Sequence, residues 1–213
     1  MHAAAAVRSF RGDKHSAMHP TIVLVDDGCA TASSWREVYA LLRDEGFTVR
    51  IVDHTADSLA DDVSATRRVV ESAAGPVVLV GHSYGGAVIT EAGNDRKVAA
   101  LVYVAAIVPD KGESVAWLLS DPTSSAPCSL PLATGALHGK INEPAWRRKP
   151  SWYLVAADDR VIPARAQWAM AHRASAAITE TGGCHALPPT EPAVVAAFIA
   201  DAARAVMDVA QCA

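Results

Sequence analysis

The stretch Gly81-His82-Ser83-Tyr84-Gly85-Gly86 lies between an apolar run at residues 77–80 and a second one that begins at Ala87. This order predicts a buried strand, an abrupt turn and a helix. A serine at such a turn is held in a strained backbone conformation, and small residues two before and two after it let strand and helix approach. The Ser83 hydroxyl would then lie above a helix N-terminus, where partial positive charge favours a developing anion. Ordinary glycine-rich turns also contain this spacing, but between a strand and a helix it predicts a nucleophile.

Residues 76–89, which contain this turn, resemble the nucleophile elbow of the α/β-hydrolase superfamily. Within it they are similar to small bacterial hydrolases of the esterase type, which are distantly related to plant methylesterases and hydroxynitrile lyases. The resemblance extends from about Thr21 to Phe198. It implies a serine hydrolase in which an acid and then a histidine follow the serine along the chain.

Composition limits the classes of protein that fit. The chain has 213 residues, and 51% of them are apolar, which suits one globular domain with a sizeable core. A net charge of -4 argues against a nucleic-acid partner, and no apolar run is long enough to span a membrane. We expect residues 1–17 to be a mobile extension without chemistry, and residues 18–213 to form the domain. The short apolar patch near the N-terminus does not fit a signal peptide, so a cytoplasmic protein is expected.

Strands and helices alternate along the chain, which predicts an α/β fold with a doubly wound, mostly parallel six-stranded sheet and helices on both faces. Ser34 and Glu37 form a capping-box pattern for the first helix, and Ser58 is the predicted N-cap of the second. The strands are expected at residues 21–25, 47–53, 77–80, 98–106, 152–157 and 176–180. Helices are expected from Ser34 and from Ser58, after the elbow, and at residues 113–120, 164–173 and 190–209.

Residues 107–151 correspond to the cap region of the family and are shorter than in the relatives. A short cap predicts an open, solvent-exposed site. The candidate lid or pocket side chains are Trp117, Leu118, Leu119, Leu137 and Trp146, for which ordinary packing in the core or lid is an equal alternative.

The acid is expected directly after the strand at 152–157, where carboxyl ends of parallel strands gather beside the elbow. The resemblance assigns it to Asp159, with Asp158 as the alternative. The resemblance also places the base at His185, in the loop between the last strand and the last helix. A neutral imidazole can accept the serine proton, and a carboxylate can fix its tautomer. Cys184 beside it is expected to be a small filler, and the four cysteines match no metal or redox spacing.

The two donors of an oxyanion hole are backbone N–H groups, assigned by the resemblance to Tyr84 and Gly28. Here the chain departs from its relatives, which carry His-Gly where it has Asp26-Asp27. Carboxylates near a developing oxyanion oppose it, so the replacement predicts a weakened hydrolase. Asp26 and Asp27 as metal ligands are a minor alternative, since no partner ligands are identifiable by spacing.

The leading prediction is a serine hydrolase that cleaves small carboxylic esters through an acyl-enzyme, with no cofactor and no metal. Two alternatives stay open. One is hydroxynitrile-lyase-like chemistry on the same triad. The other is a catalytically silent ligand-binding protein that keeps the hydrolase fold. The natural substrate and the oligomeric state are not determined by the sequence.

Overall fold

The computed structural model of the chain describes residues 19–26, 34–53, 56–120 and 133–211. Its centre is one six-stranded sheet in which every neighbouring pair of strands is parallel, with the order β2-β1-β3-β4-β5-β6. The predicted fold class is therefore confirmed. The strands are β1 (Thr21–Val25), β2 (Thr48–Ile51), β3 (Val77–His82), β4 (Val98–Val104), β5 (Ser151–Ala156) and β6 (Ala177–Thr181).

Helices connect the strands and cover both faces of the sheet. They are α1 (Arg36–Asp44), α2 (Leu59–Glu71), α3 (Gly85–Ala92), α4 (Val115–Leu119), α5 (Thr134–His138), α6 (Ala164–Arg173), α7 (Leu187–Thr190) and α8 (Pro192–Gln211). A single 3-10 turn, Ala145–Arg147, precedes β5.

Side chains of the central strands alternate between two cores, as the period of two in a strand requires. In β1, Ile22 and Leu24 face α1 and α8, whereas Val23 and Val25 face α2 and α3. All four are fully buried, so this strand is apolar on both faces and belongs in the middle of a parallel sheet. The edge strand β6 has no strand beyond it and is largely exposed.

The strand order reverses direction between β1 and β3, because the chain runs outward from β1 to β2 and then returns to β3. Ligands of doubly wound sheets bind beyond the carboxyl ends of the strands at such a switch point. Ser83 directly follows β3, and Asp26 directly follows β1, whose Val25 is paired with Gly81. The fold therefore places the elbow at the position where a ligand site is expected.

The first helix begins differently from the prediction. Ser34 does not cap it: the N-cap is Trp35, and the Ser34 hydroxyl instead donates a hydrogen bond to the Asp26 carboxylate. The capping-box prediction is wrong because a buried carboxylate at the end of β1 competes for the serine. The Ser58 prediction is confirmed, since the Ser58 Oγ accepts a hydrogen bond from the Asp61 N–H at 3.1 Å.

Helix α5 and the 3-10 turn of the cap region were not predicted, because elements of five and three residues are too short to show a helical period. Within the described ranges, no helix has both the length and the hydropathy that crossing a bilayer demands. Cys184 is a free and exposed thiol, which contradicts its predicted role as a filler. Residues 1–17, Asp27 and Gly28 lie outside the described residues.

Candidate active site

The turn from β3 into α3 has the strained geometry that the sequence predicts. Ser83 has a φ of 54°, in the left-handed region that side chains other than glycine rarely adopt. A Cβ atom on Gly81 would lie 2.6 Å from the carbonyl carbon of Gly85. A larger residue at position 81 would therefore prevent strand and helix from approaching this closely. A Cβ atom on Gly85 would lie 2.8 Å from the Asp26 carbonyl oxygen. Backbone packing therefore fixes the position of Ser83.

The structure brings Ser83 and His185 together from positions 102 residues apart. The distance between the Ser83 Oγ and the His185 Nε2 atoms is 2.8 Å, a normal hydrogen bond. Ser83 is fully buried, and the His185 side chain is 14% exposed. The expectation of a solvent-exposed site is therefore wrong at the serine itself.

Asp159, rather than Asp158, contacts the histidine. Its Oδ2 atom lies 2.8 Å from the His185 Nδ1 atom. Its Oδ1 atom accepts hydrogen bonds from the N–H groups of Val161 and Ile162, at 2.7 and 2.8 Å. This carboxylate can be buried because its acceptor positions are filled by donors.

Asp158 has a different task, because its exposed side chain accepts a hydrogen bond from the Gly183 N–H at 3.1 Å. The Asp158 N–H in turn donates to the Gly183 carbonyl oxygen, also at 3.1 Å. These two bonds join the acid loop (residues 157–163) to the histidine loop (residues 182–186). Asp158 therefore holds the two loops together.

Gln167 is the residue that sequence reasoning missed. It is fully buried on α6, and its Nε2 atom donates to the Asp159 Oδ2 atom and to the Ile162 carbonyl oxygen, both at 2.7 Å. Its Oε1 atom accepts from the Ala156 N–H at 3.1 Å. Gln167 therefore links the end of β5, the acid loop and the carboxylate. A glutamine at a helix position that should face the core was the only signal in the sequence.

His82, inside the elbow, supports the histidine loop. Its Nε2 atom lies 2.8 Å from the backbone carbonyl oxygen of His185, so it must carry the proton there, since a carbonyl only accepts. The two imidazole rings lie 5.0 Å apart between centroids. The His82 Nδ1 atom is 3.6 Å from the Asp26 Oδ1 atom, and both side chains are almost completely buried. The elbow thus holds the backbone of the residue that contacts its serine.

Tyr84 anchors the elbow from the other side. Its hydroxyl donates to the Asp62 Oδ2 atom at 2.7 Å, and both residues are buried. The Ala56 N–H donates to the other carboxylate oxygen at 3.2 Å. The pKa of Tyr84 is raised far above its ordinary value. Burial is the largest cause, and the hydrogen bond to the Asp62 carboxylate is the second. The residue after the serine is therefore tied to α2 by a neutral phenol.

The proposed oxyanion donors are described only in part. Tyr84 follows Ser83 directly and precedes the first residue of α3, which is the position expected of a donor N–H. Gly28 lies outside the described residues. The Asp26 carboxylate is 4% exposed, accepts from Ser34 and faces His82.

A cleft of about 440 Å³ adjoins this constellation. Two of its lining residues touch the site through their backbones: the Ile107 N–H donates to the Ser83 carbonyl oxygen at 3.0 Å, and the Ile162 N–H donates to Asp159. Of the predicted pocket side chains, three line the cleft, namely Trp117, Leu118 and Leu119. Leu137 and Trp146 pack against the core instead, and the Trp146 indole donates to the Pro109 carbonyl oxygen.

Comparison with known proteins agrees with the fold and the elbow. Solved structures with the same architecture include a pyrethroid hydrolase from Sphingobium faniae JZ-2, with a TM-score of 0.79 and 20% identity over 87% of this chain and 98% of the other. Another is an extracellular alpha/beta-hydrolase from a Paenibacillus species, with a TM-score of 0.70 and 20% identity over 85% and 98% of the two chains. Polyneuridine aldehyde esterase also matches, with a TM-score of 0.69 and 19% identity over 86% and 98%.

Similarity in sequence covers a smaller part of the molecule. A probable hydrolase R7 from Phoma sp. is 35% identical over 111 residues, which are 45% of this chain and 46% of that protein, so the chain spans less than half of the length of this curated relative. The model of the alpha/beta hydrolase family matches residues 22–141. This region contains the elbow, whereas Asp159 and His185 follow it. Because the match covers more than half of the chain, the protein belongs to the alpha/beta hydrolase family.

Proposed function

We propose that this protein is a serine hydrolase that cleaves small carboxylic esters through an acyl-enzyme. The observation that carries the proposal is the chain of hydrogen bonds from Ser83 through His185 to Asp159, with 2.8 Å at each step. A serine hydroxyl is a weak nucleophile until a base accepts its proton, and the His185 Nε2 atom is within reach to do so. The strained elbow lies at the switch point of the sheet, the position at which ligands of doubly wound folds bind.

In the first half of the reaction, the Ser83 oxygen attacks the ester carbonyl carbon while its proton passes to His185. The resulting imidazolium faces the Asp159 carboxylate, which stabilises it and keeps the ring in the correct orientation. The C–O bond to the alcohol then breaks, and His185 returns the proton to the leaving alkoxide. The products of this half are a free alcohol and an acyl group on Ser83.

In the second half, a water molecule replaces the alcohol. His185 accepts one proton of the water as its oxygen attacks the acyl carbonyl, and then returns that proton to Ser83 as the acid leaves. In both halves the N–H groups of Tyr84 and Gly28 would stabilise the negative oxygen. Neither half needs a redox step or an added group.

The relatives favour ester chemistry over other reactions on this fold. A pyrethroid hydrolase and polyneuridine aldehyde esterase both share the architecture. A serine at the elbow also fits acyl transfer, because its hydroxyl oxygen can carry the acyl group as a covalent ester intermediate.

The test compares hydrolysis of p-nitrophenyl acetate and butyrate by the wild type, Ser83→Ala and the control Ser64→Ala. Ser64 is an exposed serine on α2, whose hydroxyl donates to the Ala60 carbonyl oxygen. We expect kcat/KM to fall by at least about 10³-fold in Ser83→Ala, because the nucleophile is lost, and to change less than about twofold in the control. Circular dichroism checks that all three proteins fold.

Two outcomes would overturn the proposal. One is turnover that survives in Ser83→Ala. The other is a folded wild type that hydrolyses neither ester, which would favour a silent ligand-binding protein with the buried Asp26 carboxylate beside its elbow.

A further inference from the structure

The described side chains that line the cleft beside the site are either apolar or positively charged. Nine of its eleven described lining residues are apolar, and the other two are Arg165 and Arg173. No acidic residue is among them. Apolar clefts with a few placed polar groups are the common form of small-molecule sites, and the polar groups set the specificity.

The two arginines are not equivalent. Arg173 donates to both carboxylate oxygens of Glu113, at 2.8 and 2.9 Å, so its charge is neutralised inside the protein. Arg165 is exposed in the first turn of α6, which contains no acidic residue, and no carboxylate of the described residues pairs with it. The cleft therefore holds one positive charge that the described residues do not compensate.

A second unmet donor lies on the same wall. The Arg173 Nε atom is buried and has no hydrogen-bond partner among the residues that the structure describes. A buried donor without an acceptor costs free energy. This atom is closed off from solvent and lies about 12 Å along α6 from Arg165, so an anionic ligand in the cleft would supply the countercharge of Arg165 alone.

We propose that the cleft binds a carboxylate carried by the ester substrate, and that Arg165 makes the enzyme prefer anionic esters over neutral esters of the same size. This inference rests on the proposed function, because it assigns the substrate class of the same site. The carboxylate would pair with the Arg165 guanidinium, and the carbon chain between it and the ester would contact Trp117, Leu119 and Met170. Ile107 and Ile162 line the cleft, and their N–H groups donate to Ser83 and Asp159, so the cleft lies beside the site.

The experiment uses two pairs of esters that differ by one carboxylate. On the acyl side the pair is p-nitrophenyl butyrate and mono-p-nitrophenyl succinate; on the alcohol side it is phenyl acetate and 4-carboxyphenyl acetate. We measure kcat and KM for wild type, Arg165→Gln and the matched control Arg96→Gln. Arg96 is also exposed, but it precedes β4 and so lies near the amino ends of the strands, whereas the elbow lies at their carboxyl ends.

For at least one pair, Arg165→Gln should lower kcat/KM of the anionic ester by about tenfold, mainly through KM, because one charge-assisted contact is lost. The neutral ester should change less than about twofold, and Arg96→Gln should change neither. Raising the ionic strength should weaken the wild-type preference in the same direction, because an exposed pair is screened. An equal effect of Arg165→Gln on both members of both pairs would overturn the proposal while leaving the esterase function standing.

A binding measurement keeps the inference testable if no ester is turned over, which would contradict only the proposed function. Phenylacetate and phenylacetamide are titrated into Ser83→Ala protein. The signal is the fluorescence of Trp117, which lines the cleft and is 57% exposed. The variant Ser83→Ala/Trp117→Phe shows which part of the fluorescence change comes from Trp117 rather than from the other tryptophans. We expect the carboxylate to bind about tenfold more tightly, and Arg165→Gln to remove the difference. Equal affinity for the two ligands would mean that Arg165 is only a surface charge.

Discussion

The elbow (residues 81–86) and the histidine loop (residues 182–186) meet at one hydrogen bond, yet they are held in opposite ways. The elbow is fully buried, and its shape follows from glycines packed against neighbouring backbone and from a serine at a φ of 54°. The histidine loop is largely exposed, and Gly182 has nothing within 4 Å of an added Cβ atom. Its position depends on a hydrogen bond that His82 donates to it and on hydrogen bonds that it donates to Asp158 and Asp159.

The contrast teaches that the proposed nucleophile belongs to the folding core, whereas the proposed base is attached to the core by side chains. Substitutions in the elbow should therefore change stability and activity together. Substitutions in the histidine loop should change activity with little effect on stability.

The largest effect is expected for His185→Gln, which removes the base but keeps a polar side chain of similar size. We expect kcat/KM for p-nitrophenyl butyrate to fall by about 10³- to 10⁴-fold, because nothing else accepts the serine proton. The melting temperature should move by less than about 2 °C, since the bonds of His82 and Asp158 to the loop backbone remain and Asp159 keeps its other donors. The control is His172→Gln, an exposed histidine on α6. A large loss of stability in His185→Gln would show that the histidine loop belongs to the core after all.

A substitution in the elbow should do the reverse. Gly85→Ala places a Cβ atom against the carbonyl groups of Val25 and Asp26, so β1 and α3 must separate. We expect the free energy of unfolding, measured in urea, to fall by about 3 kcal/mol. Gly182→Ala is the matched control, because that position has open space and no positive φ; it should change stability by less than about 0.5 kcal/mol. An equal loss in the free energy of unfolding for Gly85→Ala and Gly182→Ala would contradict the distinction between the elbow and the histidine loop.

The smallest effect concerns the contact between the acid loop and the histidine loop. Asp158→Ala removes the carboxylate that accepts from the Gly183 N–H, but leaves the backbone bond between the same residues in place. We expect kcat to fall about three- to tenfold through looser placement of His185, with KM and stability little changed. Asp44→Ala, at the exposed end of α1, serves as the control. An unchanged kcat would mean that His82 and Asp159 suffice to hold the loop.

Much of this molecule follows from local patterns in the sequence. The six strands and the parallel sheet follow from apolar runs separated by helical stripes, because such strands are buried only when they pair with one another and the helices cover both faces. The elbow follows from residues within six positions of one another. The choice of Asp159, by contrast, depends on which carboxylate is closer to a histidine 26 residues away, and the sequence left Asp158 as an alternative.

Contacts between residues distant in the sequence explain one wrong expectation, one missed residue and one choice that stayed open. Ser34 fits a capping box, but the Asp26 carboxylate, eight residues earlier, takes its hydroxyl. Gln167 was not noticed, because its three partners come from β5 and the acid loop rather than from its own helix. For Leu137 and Trp146 the sequence left pocket and core packing as equal alternatives, and the structure shows core packing.

The sequence by itself determined that this chain folds as a parallel α/β sheet with a strained serine at the end of the third strand. It could do so because strand period, helix period and the spacing of glycines act over a few residues. Only the tertiary structure decided that Asp159 rather than Asp158 contacts His185, and that His82 and Gln167 hold the two loops. It also decided that an arginine with no carboxylate partner among the described residues lies at the adjoining cleft. These contacts join segments that are far apart in the chain, so they exist only once the core has packed and fixed their distances.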